Sequence, residues 1–181
     1  MRVWTSTTAR ACLSSVMSGA VMLCAAGCSP ELRPLAAVYT DEQGTAHALL
    51  RSCDDDGRVR GPGLYGTAPE ASGTEDAGAA TAEDEAEEPS TGWEAEGRNE
   101  AADFPLFAPP PEWAVEFRGP RTLRPGYSYE LSFGDPDDSY AYSGSVTFDA
   151  RQLAAVPAGE VLTMRGTMTK EAFEVLAREA C

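Results

Sequence analysis

The stretch YSYELSFGDPDDSYAYSGSVTF, residues 127–148, contains the clearest structural pattern in the chain. Large apolar side chains alternate with small or polar ones in two runs, at 127–133 and at 140–148. A period of two is typical of β-strands that bury one face. The residues between the runs, GDPDDS at 134–139, would connect the strands. We therefore predict two neighbouring antiparallel strands here.

Four tyrosines occupy the apolar positions of these two runs, and their role has two interpretations. They could line a sugar-binding face, or they could pack in the core. Because they share the period of Leu131 and Phe133, we favour core packing. The tyrosines are Tyr127, Tyr129, Tyr140 and Tyr142.

The flanking sequence adds a hairpin and a helix. Ala37–Thr40 and Thr45–Arg51 would be strands joined by a turn, with Gly44 at a positive φ angle. Trp113–Arg118 alternates in the same way, and Val161–Thr163 suggests a further short strand. The fold class is thus α+β, mainly β: a small antiparallel sheet or sandwich with a C-terminal helix. That helix would begin after an N-cap at Thr169 and bury Phe173, Leu176, Ala177 and Ala180.

An acidic stretch at 66–103 interrupts this pattern. It holds twelve acidic residues and one arginine, and Trp93 is its one large apolar residue. Such a composition cannot bury enough apolar surface to offset the loss of chain entropy. We predict a long disordered insertion within a single domain at 34–181. It would be either a solvated loop or an interaction tail that uses Trp93 as its anchor.

The N-terminus is typical of an export signal. A start with two arginines and no acidic residue precedes an uncharged run at 11–27. Small residues then lead to Cys28 in the sequence LCAAGC, which is typical of a bacterial lipobox. We predict a signal peptide at 1–27, a lipid on Cys28 and a short tether at 28–33. The alternatives are secretion with a free Cys28 thiol and a membrane-spanning helix.

Charge and localisation limit the partners. The formal net charge of −15 repels nucleic acid, so nucleic-acid binding is excluded. The expected location is the outer face of the cytoplasmic membrane, held there by the lipid on Cys28. The expected partners are that membrane and an unidentified protein or envelope component.

Few residues suggest catalytic chemistry. Cys53 and Cys181 form an even pair for an oxidising compartment, so we predict a disulfide between them, with two free thiols or intermolecular bonds as the alternatives. His47 is the single histidine, which excludes sites with several histidines, and we expect it to be structural or solvent-exposed. We expect no cofactor and no enzymatic activity.

Acidic side chains offer the remaining candidate site. Asp135, Asp137 and Asp138 lie in the 134–139 connection and could form a weak cation site. A solvated turn is the simpler interpretation, because the spacing does not match a calcium loop. The function we predict is a non-catalytic binding or interaction module. The alternative is a metal-dependent activity, calcium-based or hydrolytic, that uses the 134–139 loop.

Several stretches carry a resemblance to a known group of proteins. AVYTDEQGTAHALLRSC at 37–53, FPLFAPP at 104–110, LRPGYSYELSF at 123–133 and GSVTFDARQL at 144–153 precede a helix that ends in cysteine. Together they resemble uncharacterised small secreted lipoproteins of high-GC Gram-positive bacteria. The resemblance implies export, a lipid anchor and a small β-rich domain, and it implies no particular activity.

Overall fold

The computed structural model describes residues 31–69, 91–134 and 142–181. Within these ranges the chain forms thirteen strands and two helices. In chain order they are β1 (Glu31–Arg33), β2 (Ala36–Thr40), β3 (Ala46–Leu50), β4 (Arg58–Arg60), β5 (Gly63–Thr67), β6 (Thr91–Ala95), β7 (Arg98–Glu100), β8 (Asp103–Pro105), β9 (Val115–Arg118), β10 (Ser128–Phe133), β11 (Tyr142–Asp149), α1 (Ala150–Ala154), β12 (Glu160–Thr163), β13 (Gly166–Thr169) and α2 (Lys170–Ala180).

The strands form a two-layer sandwich. One sheet has the order β1-β11-β10-β5-β6-β9, the other has the order β13-β12-β2-β3-β8, and β4 pairs with β7 in a separate ribbon. β2 of the second sheet packs against β10 and β11 of the first. Among the described strands, the pairs are antiparallel except for the parallel pair β1–β11. The mainly β fold class is therefore confirmed.

The alternating stretch forms the neighbouring strands β10 and β11 of the six-stranded sheet. They pair antiparallel, and Tyr129 lies opposite Phe148. Tyr127 and Tyr129 are buried, as the core interpretation requires, whereas Tyr142 is half-buried and Tyr140 lies outside the described residues. The predicted period of two is confirmed, because alternate side chains point to the space between the sheets.

Both helices begin at recognisable caps. The Thr169 hydroxyl accepts the Ala172 N–H at 3.1 Å, which confirms the predicted start of α2. The short helix α1 was not predicted, although its capping box was visible in the sequence: Asp149 caps its first turn, and the Gln152 side chain bonds back to Asp149. In the described ranges, neither helix is long and apolar enough to cross a membrane.

The prediction of a disordered insertion at 66–103 is wrong at both ends of this range. Gly66 and Thr67 belong to β5, and the chain from Thr91 onward forms β6, β7 and β8. Trp93 is 1% exposed, so it is neither part of a solvated loop nor an exposed anchor. The error arises because the acidic average over the stretch conceals five residues, TGWEA, which pair with β5 and β9 and of which four are buried. Residues 70–90 lie outside the described residues.

The prediction of a tether at 28–33 is also wrong at its C-terminal end. Its last three residues are β1, which pairs with the start of β11. The Arg33 guanidinium donates to the Ala180 carbonyl at 2.7 Å and lies 5.7 Å from the centroid of the Tyr142 ring. These contacts order the chain back to at least Glu31, whereas Cys28 lies outside the described residues.

Candidate functional site

The strand register defines two opposite ends of the sandwich. Glu31 lies beside Tyr142 at the start of β11, and we call this the tether end. Asp149 finishes β11 opposite Ser128, which also pairs with Thr67, and we call this the distal end. Seven residue steps along β11 separate the two ends by about 23 Å.

A disulfide lies at the tether end. Cys53 and Cys181 are bonded, with their Cα atoms 5.1 Å apart, so the predicted pairing is confirmed. The Tyr142 hydroxyl accepts the Cys53 N–H at 2.7 Å and lies 2.8 Å from the Ser52 hydroxyl. With the contacts of Arg33, this arrangement joins β1, β11, the chain after β3 and the end of α2.

The acidic turn that follows Cys53 is held by an arginine. Arg98 of β7 lies 2.5 Å from an Asp54 carboxylate oxygen and 3.0 Å from one of Asp56. Because these pairs are largely exposed, each contributes little to stability. The two ion pairs join the acidic turn to β7 of the ribbon.

His47 lies between two carboxylates. In the β2–β3 hairpin it is opposite Tyr39, whose ring stacks on the imidazole at a centroid distance of 4.9 Å. Its Nε2 is 3.0 Å from an Asp41 oxygen, and its Nδ1 is 3.5 Å from an Asp103 oxygen. The imidazole is therefore held by one hydrogen bond, from Nε2 to Asp41, and by the stacked Tyr39 ring, while its buried Nδ1 makes no hydrogen bond within the described residues. This geometry fits the structural role that we expected for His47.

Lys170 extends this network to the start of α2. Its ammonium lies 2.5 Å from Asp103 Oδ2, while the Tyr39 hydroxyl donates to Asp103 Oδ1 at 2.8 Å. Partial burial opposes ionisation of Asp103, but the hydrogen bonds from Lys170 and Tyr39 outweigh it and lower the pKa of that carboxyl. At Asp41 the backbone hydrogen bond from Thr45 is the main cause of a lowered pKa.

These lowered pKa values predict acid sensitivity. A carboxyl whose pKa is lower when folded stabilises the protein above its unfolded pKa, about 4, and this contribution is lost as the pH falls through the folded pKa. We expect the melting temperature to drop below pH 4. The Asp103→Asn variant should lose about 1 kcal/mol at pH 7 and show a shallower drop. Thermal denaturation followed by circular dichroism from pH 7 to pH 2.5 measures both; equal pH profiles would contradict the role of Asp103.

Two grooves flank the turn of the β2–β3 hairpin at the distal end. The larger, the turn groove, encloses about 500 Å³, and the smaller, the α1 groove, about 370 Å³. They share Thr40, Asp41 and Ala158, so they meet at the turn. The turn groove is also lined by Tyr39, Glu42, Gln43, Gly159, Glu160, Val161, Lys170 and Glu171, and the α1 groove by Gly44, Ala46, Leu123, Ala150, Leu153, Ala154 and Val156.

The candidate cation residues Asp135, Asp137 and Asp138 lie outside the described residues. In the described ranges, no group of three or more histidine, cysteine or acidic side chains could hold a metal ion. Two residues of this network were not predicted from the sequence: Asp103, which lies in the predicted insertion, and Lys170, for which no local pattern indicates a link to His47. Comparison of the chain with protein-family models, curated proteins and solved structures finds no match.

Proposed function

We propose that this chain is an exported lipoprotein, anchored by a lipid on Cys28 to the outer face of the cytoplasmic membrane. We further propose that its domain is a non-catalytic binding module. The observation that carries the first part is the position of β1, which begins at Glu31, three residues after Cys28. β1 is paired to β11, and Arg33 is bonded to the end of α2.

A tether of this length sets the height of the domain above the bilayer. Three residues span at most about 11 Å, so the tether end would lie at the level of the lipid headgroups. The distal end would then project away from the membrane. Thr67 and Thr91, on either side of the acidic residues 70–90, are both near the distal end. This placement supports the proposal, because it attaches the acidic segment away from anionic headgroups.

Two features support binding rather than catalysis. The Nε2 of the single histidine is bonded to Asp41, its ring is stacked on Tyr39 and its Nδ1 is buried, so neither nitrogen is open to a substrate. The grooves lie at the distal end, where an external partner could reach a domain anchored by its opposite end. Small residues such as Ala154 and Ala158 leave these grooves open.

The anchor is tested by the Cys28→Ala variant. We expect it to move from the membrane fraction to the soluble fraction or to accumulate as the uncleaved precursor, because the thiol that accepts the lipid is missing. Fractionation with mass spectrometry of the N-terminal peptide measures this. The matched control is Cys24→Ala within the signal peptide, which should keep both the lipid and the membrane location. Membrane retention of a cleaved Cys28→Ala protein would contradict the proposal.

A further inference from the structure

We infer that the turn groove and the α1 groove together bind an extended, positively charged peptide segment that carries small apolar side chains. This inference rests on the proposed function as a binding module, and it names the surface and the class of partner.

The α1 groove supplies the apolar part of this surface. Its lining includes Leu123, Leu153 and Val156, with alanines between them. Leu153 is 2% exposed and therefore forms part of the floor, whereas Ala154 and Ala158 are exposed. A volume of about 370 Å³ accommodates a few small aliphatic side chains. Burial of such side chains supplies an affinity that does not depend on charge.

The turn groove supplies the charged part of this surface. Glu42, Glu160 and Glu171 line it, and none of the three has an ion-pair partner within 31–69, 91–134 or 142–181. The one lysine at this groove, Lys170, is bonded to Asp103. The groove therefore presents uncompensated negative charge beside the apolar floor, and charge complementarity requires a cationic partner.

Other occupants fit this surface less well. A second copy of the chain would bring the same acidic rim and a net charge of −15, and a nucleic acid or an anionic lipid would also be repelled. A small cation would leave the apolar floor uncovered. Because the two grooves meet at Thr40 and Ala158, an extended segment can place a basic side chain in one and apolar side chains in the other.

The test uses two labelled peptides and the full chain in detergent micelles. One peptide alternates lysine with alanine and valine, and the other has glutamate in place of each lysine. Fluorescence anisotropy should show saturable binding of the lysine peptide and none of the glutamate peptide. The double variant Glu42→Lys/Glu160→Lys should bind the lysine peptide about tenfold more weakly. The control Glu112→Lys/Glu116→Lys makes the same total change of charge just before and within the edge strand β9, outside the lining of both grooves, and should not change the affinity.

A neutral substitution separates the groove from general attraction to an acidic protein. Ala158→Trp fills the junction of the grooves without changing the charge, and we expect it to weaken binding about tenfold. Absence of binding, equal binding of both peptides or full affinity in Ala158→Trp would overturn the inference. None of these readouts depends on the lipid. If the protein is not lipid-anchored but binds the peptide, only the proposal of a lipid anchor is rejected. If it is anchored but does not bind the peptide, only the proposal of peptide binding in the grooves is rejected.

Discussion

Replacement of Trp93 by alanine is expected to lower the free energy of unfolding by about 3–5 kcal/mol. Trp93 is 1% exposed, and its indole N–H donates to the Leu106 carbonyl at 2.7 Å. Its ring packs against Phe104 and Trp113 at centroid distances of 5.8 and 6.1 Å. Alanine would leave a cavity between the two sheets and a buried carbonyl without its donor, and both effects destabilise the folded state.

Urea denaturation followed by far-ultraviolet circular dichroism measures this loss. The free energy of unfolding should fall less in Trp93→Phe, because this variant keeps an aromatic ring at the site and removes only the hydrogen bond and part of the side-chain volume. The matched control is Glu94→Ala, next in the same strand but facing away from the core, and it should cost about 1 kcal/mol or less. A loss below about 1 kcal/mol for Trp93→Ala would mean that this residue lies outside the core.

Local patterns were sufficient for the elements whose signal lies within a few residues. The alternation in β10 and β11, the hairpin with Gly44 at φ 82°, and the cap of α2 at Thr169 were all predicted from the sequence. β6 was not, because only five residues, TGWEA, carry its signal, and the acids around them dominate the composition. Its pairing depends on β5 and β9, and the burial of Trp93 depends on Phe104 and Trp113. A composition average contains no information about those partners.

The contacts of the candidate site join residues that are even farther apart in the sequence. The hairpin register alone places Tyr39 beside His47, so that contact could have been predicted from the sequence. Asp103 and Lys170 are 64 and 131 residues from Tyr39, and only the pairing of β8 with β3 and the docking of α2 bring them there. Each groove is likewise lined by three separate segments of the sequence. The β2–β3 hairpin and α2 could therefore be predicted from the sequence, but the contacts between them could not.

Loss of the disulfide is expected to lower the free energy of unfolding by about 4–5 kcal/mol in the chain-entropy treatment. Cys53 and Cys181 are 128 residues apart in sequence, so the bond restricts most of the described domain in its unfolded state. Since one bond joins the two residues, the free energy of unfolding should fall by the same amount in Cys53→Ser, in Cys181→Ser and in the double variant. Chemical denaturation with and without a reductant measures these values, and the reductant should affect the unmodified protein only.

The folded state should change most at the tether end when this bond is lost. The Ala180 carbonyl that accepts from Arg33 precedes Cys181, so release of the sulfur lets the last turn of α2 fray and frees the side chain that holds β1. Hydrogen exchange should therefore speed up in β1 and at the end of α2, while β10 stays protected. As a control, Ser52→Ala removes a hydrogen bond to Tyr142 but keeps the disulfide, and it should leave exchange in α2 unchanged. Additive losses from the two single cysteine variants would show that each cysteine acts separately, and uniform exchange along the chain would show that the bond does not act at this end.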